Sequence, residues 1–192
     1  MNFQKHLNLE GLHAPFSPSQ PSWLRYDDDK AIETYRNRKA AAMGTKLHAW
    51  AKETIDLGIK QPRSKKTIYA YVNDAIGFKM STEVVLYYSD YFFGTADAIS
   101  YREIDGKGFL RIHDLKTGKS GKIEDHMEQL EIYAALFCLE YKIKPGLIDM
   151  ELRVYKNDEV LYHNPTAEDI APIMDQIVHL NKLLEKVNYE EG

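Results

Sequence analysis

Apolar residues follow a helical spacing in the first part of this chain, and a strand-like composition replaces it in the middle. Residues 64–77 carry apolar side chains every three or four positions, which predicts a short amphipathic helix. Upstream, three consecutive aspartates suit a helix start and Gly58 suits a stop, so that two further helices are predicted over residues 27–43 and 44–57.

The pattern changes after residue 81. Residues 82–89, 92–103 and 108–115 are rich in Val, Ile, Tyr and Phe, the composition of strands. Asp105 and Gly106 separate the last two segments, and this dipeptide favours a tight hairpin turn. The three segments together predict an antiparallel meander.

The rest of the chain predicts a long helix, a hairpin and a last helix. These elements span residues 123–141, residues 148–155 with 159–163, and residues 166–187, starting at Thr166 or Ala167. Pro172 requires the last helix to kink or to start late. The order of elements predicts an α/β (α+β) fold, in which helices flank a mixed central sheet that contains the meander.

The length and composition suit one compact domain. The chain has 192 residues and is 44% hydrophobic, enough to bury a single core. Residues 1–22 contain many Pro and Ser residues without sustained periodicity and predict an extended arm, followed by one domain over residues 23–192. No apolar run is long enough to span a bilayer, and the start lacks the apolar centre of a secretory signal. A cytoplasmic protein with no membrane partner is therefore expected.

Cysteine content and net charge exclude several classes of protein. The single cysteine, Cys138, cannot form an intrachain disulfide framework or hold an iron–sulfur cluster that needs four cysteines. Any metal must sit on oxygen and nitrogen ligands. The net charge of −4 argues against a protein that coats nucleic acid, because such proteins are usually strongly basic.

Two carboxylates and an ammonium group are expected to converge on the meander. Asp114 and Lys116 are two residues apart on a strand, so their side chains emerge on the same face. Asp97 lies on the preceding strand, although the sequence leaves the register open. Such a group collects Mg²⁺ or Mn²⁺, while the lysine offsets charge that develops on a phosphate. The alternative is a salt-bridged pair on a solvated strand, but the apolar flanking residues make unpaired charge costly here.

Three motifs in order resemble the RecB-type branch of the PD-(D/E)XK nucleases, which includes AddB, the CRISPR-associated RecB-like exonucleases and many phage proteins. Residues 44–48 resemble its helical Gly-x-x-x-His motif. Residues 94–97 and 114–118 resemble its Gly-x-x-Asp and Asp-x-Lys-Thr-Gly motifs, and residues 129–133 resemble its Gln-hydrophobic-x-x-Tyr helix. The resemblance covers about residues 44–133 and implies a PD-(D/E)XK, restriction-endonuclease-like core.

The resemblance also implies roles for individual residues. The metal ligands, for Mg²⁺ or Mn²⁺, would be His48, Asp97, Asp114 and the backbone carbonyl of Leu115. The catalytic residues would be Lys116, Asp114 and Asp97, and the residues that brace the site and touch the DNA backbone would be Gln129 and Tyr133.

Several of these residues have a plainer interpretation. His48 could be an ordinary half-buried histidine, and Gln129 and Tyr133 could be a polar face and a core aromatic. Glu53 and Glu83 could orient a ligand from outside the coordination sphere, or else be a solvated helix residue and a helix cap or strand start. His113 is expected on the strand face opposite Asp114, in a structural role, and Cys138 in the core.

The chain departs from the CRISPR-associated relatives, because these fasten their fold with four cysteines on an iron–sulfur cluster. No such cluster is expected here. The chain also lacks a helicase-like signature, so any motor would be another protein. Its compact, Tyr-rich composition is closest to a phage-type member of the branch.

The function expected is that of a metal-dependent deoxyribonuclease, an exonuclease in DNA recombination, repair or phage DNA processing. DNA ends or single strands would be the substrate, and recombination or replication proteins the partners. The alternative is a catalytically silent nuclease-fold module that binds DNA or protein in a larger assembly. A sugar or nucleotide hydrolase is disfavoured, because it would leave Lys116 without a role.

Basic residues around the motifs predict a rim that binds phosphates, with the solvated surface as the alternative. These residues are Arg36, Arg38, Lys39, Lys46, Lys60, Arg63, Lys65, Lys66, Lys119 and Lys122.

Overall fold

The computed structural model describes residues 14–118 and 121–191, so the first thirteen residues of the predicted arm lie outside it. Two compact units divide the chain, Met1–Lys46 and Leu47–Gly192. The boundary of one domain at residue 23 stays a prediction.

The described part of the first unit contains a short 3-10 helix, Pro21–Arg25, and the first part of helix α1, Asp28–Asp56. Trp23 donates its indole N–H to the carbonyl of Ser17 at 3.0 Å. The carboxylate of Asp27 accepts the backbone N–H of Lys30 at 2.8 Å, as expected of an aspartate at a helix start.

The predicted break at Gly44 is wrong, because α1 runs through this position without interruption. A glycine inside a helix costs only about 1 kcal/mol relative to alanine. The good helix formers around Gly44, among them three consecutive alanines at 40–42, offset that cost.

The second unit follows the predicted order of elements closely. After the end of α1 it contains α2 (Thr67–Gly77), β1 (Ser81–Ser89), β2 (Phe92–Ile104), β3 (Lys107–Lys116), α3 (Met127–Glu140), β4 (Ile148–Lys156), β5 (Glu159–His163) and α4 (Ala167–Glu191). The helix predicted from residue 123 begins as a 3-10 turn, Glu124–His126, and continues as α3.

The five strands form one mixed sheet in the order β1-β2-β3-β4-β5. Only β3 and β4 pair in parallel, and the antiparallel meander β1-β2-β3 is confirmed. Asp105 and Gly106 have φ angles of 51° and 80°, the two positive values that the expected tight turn requires.

Helices cover both faces of the sheet. One face packs against α3, and α4 packs on α3 in turn; Leu86, Leu110, Ile112 and Leu130 belong to this core. The other face packs against α2 and the last turns of α1. The α+β class with helices around a mixed sheet is thus confirmed.

The last helix starts at Ala167, one of the two predicted positions, so a late start is not how the helix accommodates Pro172. The carboxylate of Asp169 accepts both the backbone N–H of Thr166, at 2.7 Å, and its hydroxyl, at 2.9 Å. This capping arrangement initiates α4 at Ala167, so Pro172 lies in the second turn.

None of the helices within residues 14–118 and 121–191 combines the length and the apolar character needed to cross a bilayer.

Candidate functional site

The candidate site lies at an irregular point of β1 and β2, where the alternation of side chains between the two faces of the sheet reverses. Ala96 packs in the core under α3, whereas Ala98 packs in the core under α2, so the usual alternation reverses at Asp97. On β1, Glu83 is opposite this point and has a φ of 51°. Such a backbone costs about 1–3 kcal/mol for a residue other than glycine and is found disproportionately at functional sites.

An imidazole and two carboxylates meet at this point. Helix α1 brings Nδ1 of His48 to 3.4 Å from Oδ2 of Asp97. The ligand atoms of His48, Asp97 and Glu83 all lie within 4.8 Å of one another, a group that could hold a metal ion. The sequence left Glu83 either as a residue that orients a ligand or as a helix cap or strand start; the structure places it near the start of β1, with its carboxylate beside the other two groups.

Negative charge dominates the surroundings of His48. A hydrogen bond to Asp97 raises the pKa of the imidazole, and the charges of Asp97, Asp114 and Glu83 raise it further against the effect of burial. A cation bound to this nitrogen would therefore compete with a proton.

Asp114 is the buried carboxylate of the site, with 3% of the residue exposed. Its Oδ1 accepts the ammonium of Lys116 at 3.1 Å, while its Oδ2 has no hydrogen-bond partner among the described residues. Burial, together with the negative charge of Asp97, raises the pKa of Asp114 to about 6. The ionised form is thus disfavoured unless further positive charge is nearby.

Helix α3 holds the other side of Lys116. Gln129 accepts the ammonium of Lys116 at 2.9 Å and donates its amide N–H to the hydroxyl of Tyr133 at 3.2 Å. Gln129 and Tyr133 are four residues apart and share one helix face. The ring of Tyr133 lies against Gly94, where an added Cβ would be 2.9 Å from Cε1. Gly94 is therefore needed for Tyr133 to sit where it does.

The strand register, which the sequence left open, brings the two aspartates side by side. Ala98 pairs with His113, so Asp97 and Asp114 are the next residues along the two strands. The backbone N–H of Leu115 donates to Oδ2 of Asp97 at 2.9 Å and ties the strands together here. The ligand role of the Leu115 carbonyl stays a prediction.

Glu53 and Tyr71 lie where one interpretation of the sequence places them, on the solvated face of α1 and on the buried face of α2. Glu53 is exposed on α1 and does not belong to the group of close ligand atoms. Tyr71 is buried on α2, and besides burial, the charges of Asp97, Asp114 and Glu83 raise its pKa. Its helical spacing predicted burial, but no pattern in the sequence marks its proximity to the carboxylates.

The expectations for His113 and Cys138 are confirmed as far as position is concerned. His113 is fully buried and packs edge-on against Phe78, on the sheet face opposite α3. Cys138 is buried inside α3, and burial raises the pKa of its thiol to about 11.

The predicted phosphate-binding rim is only partly described. Lys60, Arg63, Lys65 and Lys66 form an exposed segment between α1 and α2, and Lys122 is exposed before α3. Lys119 lies outside the described residues. The remaining members, Arg36, Arg38, Lys39 and Lys46, belong to the first unit.

No protein-family model and no curated protein matches this sequence. Three carboxylates and one imidazole form a donor set of oxygen and nitrogen atoms, and the single ammonium group of Lys116 leaves the negative charge in excess. Such a set suits a hard divalent cation.

Proposed function

We propose that this protein is a metal-dependent deoxyribonuclease with a PD-(D/E)XK-type core, similar to the RecB/AddB-like exonucleases. One observation carries the proposal: the ligand atoms of His48, Glu83 and Asp97 cluster within 4.8 Å, beside the ion pair of Asp114 and Lys116. The three motifs that carry the resemblance supply all but one of these residues, and Glu83 is the addition.

The residues present fit Mg²⁺ or Mn²⁺. The candidate ligands are carboxylate oxygens and one imidazole nitrogen, and Mn²⁺ tolerates the nitrogen better than Mg²⁺ does. Oδ2 of Asp114 is buried and lacks a hydrogen-bond partner among the described residues, as expected of an atom that takes part in cation binding. The bound ion would polarise the phosphate and lower the pKa of a coordinated water.

Lys116 is the group that would stabilise negative charge on the phosphate during cleavage. Asp114 and Gln129 hold its ammonium from two sides, at 3.1 and 2.9 Å, so its position is set before a substrate arrives. A group fixed in advance contributes most to the transition state, because it need not reorganise. Gln129 serves this purpose without neutralising the charge, and Tyr133 fixes Gln129.

DNA ends or single strands are the proposed substrate, cut exonucleolytically in the cytoplasm during recombination, repair or phage DNA processing. Recombination or replication proteins are the proposed partners. The net charge of −4 favours a local grip on phosphates over a broad basic surface. The complete set of Asp97, Asp114 and Lys116 argues against a module that has lost catalysis.

A gel assay with end-labelled linear DNA and circular DNA tests the proposal. We expect the purified protein to degrade linear DNA with Mn²⁺ or Mg²⁺, to spare circles, and to be inactive with EDTA. Asp97→Asn should be inactive, whereas Glu53→Gln, which changes an exposed glutamate of the same region, should be as active as the wild type. Absence of metal-dependent cleavage of any DNA would refute the nuclease function, and cleavage of circles would refute the exonuclease mode.

A further inference from the structure

The segment between α1 and α2 concentrates positive charge in a protein whose net charge is negative. This segment, residues 58–66, is named the basic loop here; its exposed cations are Lys60, Arg63, Lys65 and Lys66. No acidic residue occurs from residue 57 to residue 73, although the whole chain has a net charge of −4. A local excess of four positive charges is complementary to a polyanion.

The basic loop is fastened to α2. Asn73 accepts the backbone N–H of Gln61 at 2.8 Å and donates its amide to the carbonyl of the same residue at 3.0 Å. Farther along, the hydroxyl of Ser64 accepts the backbone N–H of Lys66 at 3.0 Å. The backbone that carries the cations is therefore ordered in advance, which lowers the entropy lost when a ligand binds.

Two aromatic rings adjoin the charges. Trp50 of α1 and Tyr69 of α2 lie with their ring centroids 6.0 Å apart and their planes at 44°. The ammonium of Lys66 lies 5.5 Å from the centroid of the Tyr69 ring. Both aromatic residues are only half-buried, so part of each remains open to solvent. Aromatic rings beside a basic backbone are the combination that proteins use to bind single-stranded nucleic acid.

We propose that the basic loop and the Trp50–Tyr69 pair bind a single strand of DNA, with phosphates on the cations and a base against the aromatic rings. A duplex would satisfy only the cations, because its bases are already stacked. An acidic peptide would satisfy them too, but it offers no ring to stack. The link to cleavage rests on the proposed nuclease function. Trp50 is two residues from His48 on α1, and this helix rises by about 12 Å over the eight residues from His48 to Asp56, shortly before the basic loop begins.

Binding is measured without metal, so the test does not depend on cleavage. Fluorescence anisotropy with a labelled thymidine oligonucleotide in EDTA gives the affinity at several salt concentrations. The variant Lys60→Gln/Arg63→Gln/Lys65→Gln/Lys66→Gln should bind more weakly. The slope of the logarithm of its affinity against the logarithm of the salt concentration should be smaller in magnitude by about 3, because each phosphate contact contributes about 0.7. The matched control changes four exposed lysines elsewhere, Lys142, Lys144, Lys182 and Lys186, to Gln and should keep the wild-type slope.

The fluorescence of Trp50 gives a second readout, which reports on the aromatic rings and not on the charges of the basic loop. The chain has two tryptophans, so Trp23→Phe leaves Trp50 as the sole source of tryptophan fluorescence. The oligonucleotide should quench it. Trp50→Leu, which keeps an apolar side chain for packing, should weaken binding by about tenfold.

Three results would overturn the inference: an unchanged salt slope in the loop variant, unquenched Trp50 fluorescence, or equal affinity for duplex and single strands. Displacement by polyglutamate that is as effective as displacement by an unlabelled oligonucleotide of equal charge would overturn it too, because that result identifies a general polyanion site. A protein that binds the oligonucleotide through the loop but never cleaves DNA would refute the proposed function and leave this inference standing. If instead the protein cleaves DNA and the loop variant binds the oligonucleotide normally, this inference would be refuted and the proposed function would stand.

Discussion

Two clusters of charged side chains lie between the sheet and the helices that cover it, and their charges balance differently. At the candidate site, the carboxylates of Glu83, Asp97 and Asp114 are accompanied by Lys116 and His48. The second cluster, named the arginine cluster here, consists of Asp74, Arg111, His113, Glu151, Arg153 and Tyr155. In it, two carboxylates face two guanidinium groups.

The arginine cluster satisfies its own charges. Arg153 bonds Glu151 at 2.8 Å and Asp74 at 2.9 Å, and Arg111 bonds Glu151 at 3.2 Å. Both guanidinium groups also lie over the ring of Phe78, at 4.3 and 4.9 Å from its centroid. The neighbouring His113 and the two arginines hold the pKa of Glu151 at about 2. Its ionised form is therefore stabilised by the fold.

The candidate site has the opposite effect on Asp114. Burial and the negative charge of Asp97 raise the pKa of this carboxyl group to about 6. One cluster stabilises the fold with the charges it contains, and the other destabilises it until positive charge arrives. The comparison therefore predicts that the same chemical change, acid to amide, has opposite effects on stability in the two clusters.

Loss of the lysine at the site should give the largest effect. Lys116→Ala should lower the turnover of DNA on the order of 1,000-fold, since the ammonium serves charge that develops only in the transition state. DNA binding, measured by anisotropy in EDTA, should stay within about twofold of the wild type. The measurement is single-turnover cleavage of end-labelled DNA with Mn²⁺.

The matched control is Lys107→Ala, which removes an exposed lysine from the other end of the same strand. It should cleave at the wild-type rate. Undiminished turnover by Lys116→Ala would take this residue out of the catalytic role, and a parallel loss in both variants would point to strand β3 as a whole.

Removing the charge of Asp114 should stabilise the metal-free protein. The pKa of Asp114 is raised from 3.8 to about 6, and each pKa unit corresponds to about 1.4 kcal/mol. The free energy of unfolding should therefore increase by at most about 3 kcal/mol in Asp114→Asn at neutral pH. Since the folded pKa is raised, the metal-free wild type should itself become more stable as the pH falls from about 6 to 4. Chemical unfolding in EDTA at both pH values measures each effect.

Metal should stabilise the wild type more than Asp114→Asn, the reverse of the order expected without metal. At about 100 times its dissociation constant, Mn²⁺ should stabilise the wild type by about 2.7 kcal/mol, a rise in Tm of about 5–10 °C. Asp114→Asn should lose most of this rise. Equal rises in both proteins would show that Asp114 is no ligand, and a strongly destabilised metal-free variant would favour an ordinary salt bridge with Lys116.

The same kind of change in the arginine cluster should destabilise the protein. Glu151→Gln leaves two guanidinium groups short of a counter-charge, and because the Glu151 side chain is 18% exposed, we expect a loss of about 2 kcal/mol rather than the larger loss at a fully buried pair. Urea unfolding measures it. The rise in Tm with Mn²⁺ should be that of the wild type, since the cluster shares no residue with the group of close ligand atoms at the candidate site.

The pH dependence provides the control for Glu151→Gln. The folded pKa of Glu151 is depressed to about 2, so its contribution is present above pH 4.5 and is lost as the pH falls toward 2. The difference between wild type and variant should therefore shrink over this range. A difference that stays constant down to pH 2 would attribute the loss to packing instead of charge.

The contrast between the clusters also shows what the sequence could predict. Local spacing predicted the meander, the β4–β5 hairpin and the shared strand face of Asp114 and Lys116 on β3, because each depends on neighbours a few residues apart. It could not predict the arginine cluster, whose Asp74 and Arg153 meet across 79 positions of chain. It could not predict the close approach of Glu83 to Asp97 either, since the left-handed backbone of Glu83 breaks the period of two on which strand reasoning depends.

The predicted helix boundary at Gly44 is wrong because the helix propensity of the surrounding residues outweighs the cost of one glycine, whereas the predicted start of α4 is confirmed. Gly44 and Pro172 are both residues that end helices in isolation. The capping of α4 by Thr166 and Asp169 fixes the helix start upstream of Pro172. Gly94 is the converse case. The sequence motif pointed to it, but the reason, contact with the ring of Tyr133, comes from another element.

Gly94→Ala should give the smallest effect, and it tests whether the brace from α3 sharpens the site. An added Cβ would lie 2.9 Å from Cε1 of Tyr133, so the ring must move and its hydroxyl must leave Gln129. We expect stability to fall by about 1 kcal/mol, as for mild overpacking. Turnover should fall by about tenfold, since Gln129 then holds Lys116 less firmly. Mn²⁺ affinity should not change.

A double-mutant cycle with Tyr133→Ala isolates the contact, because removal of the ring leaves the new methyl group nothing to displace. In that background Gly94→Ala should lower neither stability nor turnover further, a non-additive result that independent sites would not give. Gly77→Ala is the matched control, since a Cβ there meets no atom within 4 Å. Additive losses in the cycle would show that Gly94 acts through the strand itself, and Lys116 would then be positioned without help from Tyr133.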